Sequence, residues 1–249
     1  MTRKNTISRM VRYGLYGLVA IFFIWTAANG YFHVIFENQS TFLLLLREHL
    51  LLVIVSSFLA VIVALPLAVF VTRPRFKKFE WGLSNLANIA QTVPSLAVLA
   101  LMIGILGIGF VPAVFALFIY SVLPIFRNAV AGFNSIDDSL IDAGKGMGMK
   151  PSQIFWRIEV PNAAYAIIAG LRTAIVLNVG TAALAYYIGG GGLGVWIFTG
   201  INLFDHAFLL SGAIPVTVMA IIIDFLLAWL GKTITPKGLR QTTDTTNPA

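Results

Sequence analysis

The chain has 249 residues, of which 58% are hydrophobic and only 11% are charged, and its mean hydropathy is +0.88. Soluble proteins carry roughly 25% charged residues, so this composition argues against a soluble enzyme, a disordered chain and a nucleic-acid-binding protein. It indicates an integral membrane protein. The formal charge of +7 needs no acidic partner, because basic residues of membrane proteins concentrate in cytoplasmic loops. The absence of Cys from the sequence excludes disulfides, thiolate metal ligands and a cysteine nucleophile.

Six segments are long and apolar enough to cross a membrane, which takes about 20 residues. The charge-free run 82–126 is about twice the length of one span, so it predicts two helices separated by a turn rich in Gly and containing Pro112. Pro66 is expected to bend the second span near its end. The predicted spans are 13–36, 50–72, 82–106, 112–133, 162–187 and 207–230.

The basic residues predict the orientation of these spans. If the amino terminus is cytoplasmic, all but one of the 17 Lys and Arg residues lie on the cytoplasmic side or at helix ends there, and Arg47 is the exception. The fold class expected is therefore an all-α, polytopic membrane protein with six transmembrane helices and both termini cytoplasmic. We expect a cytoplasmic segment 1–12, a six-span domain 13–240 and a disordered, Thr-rich tail 241–249.

The first span has a second interpretation, as a cleaved signal peptide. Basic residues precede it, and Thr26-Ala27-Ala28 is an acceptable cleavage site. Its apolar stretch is longer than the 7–15 residues usual for a signal peptide, which favours a retained span.

The predicted cytoplasmic loop 134–161 separates spans four and five. Ser135 followed by Asp138 has the pattern of a capping box and predicts a short helix. Pro151 suits the first turn of a second helix, which we expect to stop before Pro161. Gly144, Gly146 and Gly148 are expected to open the backbone between the two helices. The apolar residues of this pair fit either the groove of a partner protein or the helix ends of this chain.

The loop resembles a motif of bacterial ABC importer permeases. Asp142-Ala143-Gly144, Gly148 and Ile158-x-Val160-Pro161 match E-A-A-x-x-x-G, nine residues, I-x-L-P, with Asp for Glu, Gly for Ala and Val for Leu. In that family the loop contains the coupling helix that docks into the ATPase subunit. The resemblance implies this role for 138–161, and Gly144 is expected to loosen its helix. The implied coupling residues are Asp142, Ala143, Gly144, Gly148, Ile158 and Pro161.

Other segments resemble the glycine betaine, choline and related osmoprotectant permeases of the same family. These segments are 48–50, 91–97, 107–109, 123–128 and 188–194. The resemblance implies a type I ABC importer permease-like fold in the bacterial cytoplasmic membrane. It implies as partners ATPase subunits, a second identical or related permease subunit and an extracytoplasmic solute-binding protein. ATP and Mg are then expected on the ATPase, with no catalytic residue and no cofactor in this chain.

Polar and charged residues within the spans each have two interpretations. One set has the composition of a translocation path between subunits and equally that of helix-packing contacts. Its members are Gln91, Thr92, Ser95, Asn178 and Thr181. Arg172 and Asp224 are functional candidates because charges in a membrane are costly, but they could also pair within the bundle or reach the cytoplasmic interface.

Several other motifs do not support a site. Gly231-Lys232-Thr233 lacks the earlier Gly of a phosphate-binding loop, since position 226 is Leu. The glycines of 189–194 follow a membrane span and not a strand, so we expect a flexible outer turn beneath a docked binding protein. The three His residues have no metal-ligand spacing and are expected near the outer interface. Alternative functions are an ABC permease for another small solute such as an amino acid, an ATP-independent secondary transporter or channel, and a scaffold.

Overall fold

The computed structural model describes residues 28–234 and, before them, Gly17, Ile21 and the segment 24–26. Every regular element within these residues is helical. The predicted first span 13–36 is described only in part, and the segments 1–12 and 241–249 lie outside the described residues.

Ten α-helices follow one another in the described part of the chain. In order they are α1 His33–Glu37, α2 Gln39–Thr72, α3 Glu80–Ala90, α4 Ser95–Leu106, α5 Phe110–Asn134, α6 Asp138–Gly146, α7 Pro151–Ile154, α8 Val160–Ala182, α9 Gly194–Leu203 and α10 His206–Ile234. A 3-10 turn at Lys77–Phe79 precedes α3, and another at Ala183–Ile188 follows α8. The π-helix Phe155–Glu159 joins α7 to α8.

Four helical stretches are long and apolar enough to span a membrane. They are Gln39–Thr72, Phe110–Asn134, Pro151–Ile188 and His206–Thr233. The bent pair Lys77–Ala90 and Ser95–Leu106 makes a fifth if it is counted as one span. The described residues therefore give four to five of the six predicted spans, and the prediction of six stays open at 13–36.

The expectation of one continuous helix over 82–106 is wrong. The chain turns at residues 91–94, and the helices on either side meet at 97°. Pro94 explains the break, because its ring removes an N–H donor and disfavours the helical conformation of the residue before it. The predicted glycine turn after α4 is confirmed, since Gly107 and Gly109 have φ angles of +81° and +124°.

Small residues bring the central helices close together. α5 packs against both α2 and α8, and α10 packs against α8 and α9. A β-carbon at Gly132 on α5 would lie 2.9 Å from Cβ of Ala166 on α8. One at Gly170 on α8 would lie 2.6 Å from Cβ of Asn128 on α5. Lipid gives helices no hydrophobic reason to associate, so this close packing is a main source of stability.

We expect Gly170→Ala to lower the melting temperature of the purified chain in detergent by several degrees. The added methyl group meets the carbonyl oxygen of Pro124 at 2.9 Å as well as Asn128, and overpacking of this kind costs about 1–3 kcal/mol. Gly180→Ala is the matched control on the same helix, because nothing lies within 4 Å of its β-carbon. Equal melting temperatures for the two variants would contradict close packing at Gly170.

Candidate functional site

The predicted coupling loop begins with a helix whose cap differs from the expected one. The carboxylate of Asp137 accepts a hydrogen bond of 2.8 Å from the backbone N–H of Ser139 and caps α6. The same bond holds the pKa of Asp137 below its ordinary value. The capping box predicted at Ser135 is wrong, because the Ser135 hydroxyl donates to the carbonyl of Gly132 at the end of α5.

Gly144 does not loosen the helix as predicted. It is buried within α6, where a β-carbon would lie 2.8 Å from Cδ1 of Ile158 and 3.4 Å from Cγ1 of Ile154. The glycine therefore lets α6 pack closely on the helical segment that follows. Gly148 supplies the turn between them, with a left-handed φ of +74°.

The structure separates the predicted coupling residues into two groups. Gly144 and Ile158 contact each other inside the loop, whereas Asp142 and Ala143 are exposed, and Asp142 pairs with Lys145 at 2.9 Å. Met147, at the tip between α6 and α7, is 73% exposed. The surface available to a partner is thus formed by Asp142, Ala143 and Met147. The docking role of the six residues stays a prediction.

The helix expected to stop before Pro161 continues through it. In a regular α-helix the ring of Pro161 would clash with the carbonyl of Arg157. The wider π-helical turn Phe155–Glu159 directly precedes α8 and accommodates the proline near the start of that helix. The result is one unbroken helical stretch, Pro151–Ile188, that leads from the coupling loop through a membrane span.

An ion pair attaches the end of α2 to this π-helical turn. The guanidinium of Arg73 donates to both carboxylate oxygens of Glu159, at 2.9 and 2.5 Å, and lies 5.3 Å from the ring centre of Phe155. Glu159 is only 8% exposed. We call Arg73, Phe155 and Glu159 the Arg73 clasp. Sequence reasoning missed it, although a carboxylate inside the apolar stretch before Pro161 was a signal that a partner was needed.

A cavity of about 650 Å³ lies between α5, α8 and the bend that joins α3 to α4. Four of the five predicted path residues line it, and Thr92 does not, since its hydroxyl donates to the carbonyl of Ile89 in the bend. The lining residues are Gln91, Ser95, Tyr120, Ser121, Pro124, Arg127, Asn128, Ala131, Thr173, Ala174, Leu177, Asn178 and Thr181. The role of the predicted residues in a path stays a prediction.

The cavity has a buried polar floor. Asn178 is 1% exposed, and its amide nitrogen donates to the hydroxyls of Ser56 and Ser57 on α2. Oδ1 of Asn178 and Oγ of Ser121 make no hydrogen bond with any described residue. Asn178 therefore both packs two helices together and presents an acceptor to the cavity.

The rim of the cavity is exposed on one side of the helix bundle. Gln91, Arg127, Thr173 and Leu177 are exposed there, and the Arg127 guanidinium donates to Oε1 of Gln91 at 3.2 Å. Sequence reasoning gave Arg127 no role beyond orientation. Its spacing of seven residues from Tyr120, on one face of α5, was the signal that could have placed it in the cavity.

Arg172 and Asp224 form a two-bond ion pair that links α8 to α10. Nε and Nη2 of Arg172 donate to the two carboxylate oxygens of Asp224, each at 2.9 Å. Of the alternatives that the sequence left open, the structure shows pairing within the bundle.

The glycine turn 189–194 packs closely against the start of α2, and this close approach was predicted. The backbone N–H of Gly192 donates to Oε2 of Glu48 at 2.9 Å, and a β-carbon at Gly194 would collide with the carbonyl oxygen of Ala183. These contacts hold the turn in place, whereas we expected it to be flexible. The turn leads into α9, a ten-residue apolar helix that sequence reasoning missed.

The histidines lie in different surroundings. His49 is wrongly placed by the expectation of an outer-interface position, because its side chain is fully buried and Nε2 lies 2.9 Å from the carbonyl oxygen of Val179. His206 stacks on Tyr31. Among the described residues there is no group of three or more His, Cys, Asp or Glu side chains that could hold a metal ion.

Known proteins share this sequence and fold. A family model described as binding-protein-dependent transport system inner membrane component matches residues 60–237. The choline transport system permease protein OpuBB of Bacillus subtilis is 44% identical over 194 residues, covering 78% of this chain and 88% of that protein. The carnitine transport permease protein OpuCB of Listeria monocytogenes is 42% identical over 206 residues, covering 82% and 93%.

A solved structure gives an independent match to the fold. A chain of the inward-facing MetNI methionine ABC transporter superposes with a TM-score of 0.72 at 23% identity, covering 80% of this chain and 98% of that one. The chain therefore belongs to the family of binding-protein-dependent transport system inner membrane components and is an integral-membrane permease subunit of the ABC importer class.

Proposed function

We propose that this chain imports quaternary-amine osmoprotectants of the glycine betaine, choline and carnitine type by coupling ATPase closure to alternating access. One observation carries the coupling. The unbroken stretch Pro151–Ile188 contains both the predicted docking motif and the cavity residues Thr173, Asn178 and Thr181. The substrate class is supported by the names of the relatives, which are choline and carnitine permeases.

The proposed topology has six spans, with both termini in the cytoplasm of a bacterial cell. The Arg73 clasp supports it, because it joins the basic segment that follows α2 to the predicted coupling loop. Two segments assigned to the cytoplasm by their charge thus lie at the same end of the bundle.

The open side of the cavity supports a second permease subunit, identical or related, as a partner. A polar rim facing lipid would leave amide, hydroxyl and guanidinium groups without hydrogen-bonding partners, which is costly in hydrocarbon. A second copy of the same face would cover this rim and enclose a path between the two subunits.

The other proposed partners meet the two ends of the bundle. ATPase subunits, which would bind ATP and Mg, dock on the surface of Asp142, Ala143 and Met147. An extracytoplasmic binding protein docks over the glycine turn 189–194 and delivers the solute. The chain itself carries no catalytic residue in this proposal.

The proposed mechanism is a two-state rearrangement. Closure of the ATPase subunits on ATP displaces α6 and α7, and the helical continuity through Pro161 passes this movement to α8. Because α8 forms one wall of the cavity, its movement changes the side from which the cavity is open.

The function is tested by uptake into proteoliposomes that contain the chain with its ATPase, in the presence of the binding protein. We expect uptake of labelled glycine betaine, carnitine or choline that requires ATP. Uptake at the same rate in vesicles without the ATPase would indicate an ATP-independent transporter instead. Competition by an amino acid and not by these three solutes would indicate an ABC permease for another substrate.

We expect Met147→Asp to weaken ATPase binding about tenfold, because a charge then has to be buried in an apolar contact. The measurement is co-purification of the ATPase at increasing detergent wash volumes. Met147→Leu keeps the apolar contact and serves as the control. Equal retention of the ATPase by both variants would exclude the tip of the loop from the docking surface.

A further inference from the structure

We propose that Arg127 is a carboxylate-binding residue of the membrane cavity, so that the path selects zwitterions such as glycine betaine and carnitine over choline, a cation without a carboxylate. This inference rests on the proposed function and goes beyond it, because it locates a specificity-determining residue in the permease subunit.

The charge of the cavity is the first argument. Arg127 is the one ionised side chain among the described residues that line it, and no Asp or Glu is among them. A guanidinium in a partly desolvated cavity attracts a carboxylate and repels a quaternary ammonium more strongly than it would in water. A cavity built for a simple cation would have the opposite charge.

The availability of the guanidinium is the second argument. Arg73 and Arg172 each donate two hydrogen bonds to a carboxylate within the chain. Arg127, although it lies on the membrane-spanning helix α5, forms no ion pair with any described residue. Its one hydrogen bond goes to the neutral amide of Gln91, at the long distance of 3.2 Å. The planar fork of Arg127 is therefore free to bind a carboxylate with two bonds.

The position of the guanidinium is fixed from both sides. The Tyr120 hydroxyl donates to the carbonyl of Val93 and thereby attaches the bend of α3 and α4 to α5. Gln91, at the start of the same bend, holds the guanidinium. The 97° bend thus brings the partner of Arg127 to the cavity rim, which a straight helix would not do.

The remaining lining suits the other end of a zwitterion. A quaternary ammonium group has no N–H to donate, so it is held by apolar contacts, aromatic faces and oxygen dipoles. Tyr120, Pro124 and Leu177 supply the first two, and Oδ1 of Asn178, which has no partner among the described residues, supplies a dipole. The volume of about 650 Å³ accommodates a small solute with water around it.

The test is binding of glycine betaine, carnitine and choline to the permease–ATPase complex in detergent without the binding protein. Saturation-transfer NMR on the N-methyl protons measures all three solutes in one way. We expect the wild type to bind the two carboxylates at least tenfold more tightly than choline. Arg127→Gln should lower their affinity at least tenfold and leave that of choline unchanged, and Arg127→Lys should be intermediate.

Arg75→Gln is the charge-matched control, because it removes an exposed cation outside the cavity. Choline binding as tight as that of glycine betaine, unchanged affinities in Arg127→Gln, or no binding of any solute to the wild type would overturn the inference. ATP-dependent uptake by the same complex with its binding protein tests the proposed function separately. Its success together with any of those binding results rejects Arg127 alone.

Discussion

Arg73→Glu is expected to reduce ATP-driven solute uptake more than a hundredfold while the ATPase still co-purifies with the chain. The substitution breaks the Arg73 clasp and leaves the carboxylate of Glu159 buried and facing a second carboxylate. Removing one partner of a buried ion pair costs about 3–5 kcal/mol, and we use about 3 because the Arg73 side chain is 36% exposed. A shift of that size changes a two-state equilibrium more than a hundredfold.

The expected loss concerns coupling and not docking. The docking surface at Met147 lies at the tip of the loop, whereas the clasp lies where α2 meets the π-helical turn. Without the clasp, movement of α6 and α7 no longer displaces α2 together with α8. ATP hydrolysis should therefore continue without matching uptake, which the ratio of phosphate released to solute imported measures in proteoliposomes.

The double variant Arg73→Glu with Glu159→Arg separates this role from a general loss of folding. It restores opposite charges across the same contact, so we expect most of the uptake to return. A double variant as inactive as the single one, at equal protein level, would show that the ion pair does not transmit the movement. Wild-type uptake in Arg73→Glu alone would do the same.

The positions of most spans could be predicted from the sequence because lipid imposes a simple rule. A helix must present about 20 apolar residues to cross the membrane, so charge-free runs mark the spans directly. The same rule hid the bend at 91–94, since an uncharged run contains no change of polarity where the chain turns. Pro94 was the one local signal of that bend, and it required attention to backbone conformation.

The coupling loop shows how packing overrides local preference. Proline ends an isolated helix, but Pro161 continues one here because the π-helical turn before it makes room for the ring. Glycine weakens an isolated helix, but Gly144 permits a contact with Ile158 that alanine would crowd. Both outcomes depend on a neighbouring turn of the chain that no local pattern describes.

The cavity could be predicted by residue type but not by partner. Polar residues within spans pointed to Gln91, Ser95, Asn178 and Thr181, and the structure places all four around one space. Which polar atoms are already satisfied depends on contacts between distant segments, such as that of Asn178 with Ser56, 122 residues away in sequence. Only these contacts distinguish the free guanidinium of Arg127 from the paired one of Arg172.

The Arg172 pair gives the second large effect, because both of its members lie within spans. We expect Asp224→Leu to remove most of the folded chain from the membrane, since it leaves the Arg172 guanidinium without its partner. An unpaired arginine near the centre of a membrane helix costs about 2.5–3.5 kcal/mol in insertion alone. The measurement is the amount of monodisperse protein recovered after mild detergent extraction.

The double variant Arg172→Leu with Asp224→Leu distinguishes a structural pair from a functional one. Replacing both members of an ion pair by apolar residues of similar volume is often neutral or stabilising, whereas replacing one is destabilising. We therefore expect the folded amount to return to the wild-type level and ATP-driven uptake to return with it, because the pair links α8 to α10 and does not line the cavity. Recovery of the protein without recovery of uptake would instead assign the two charges to the transport cycle itself.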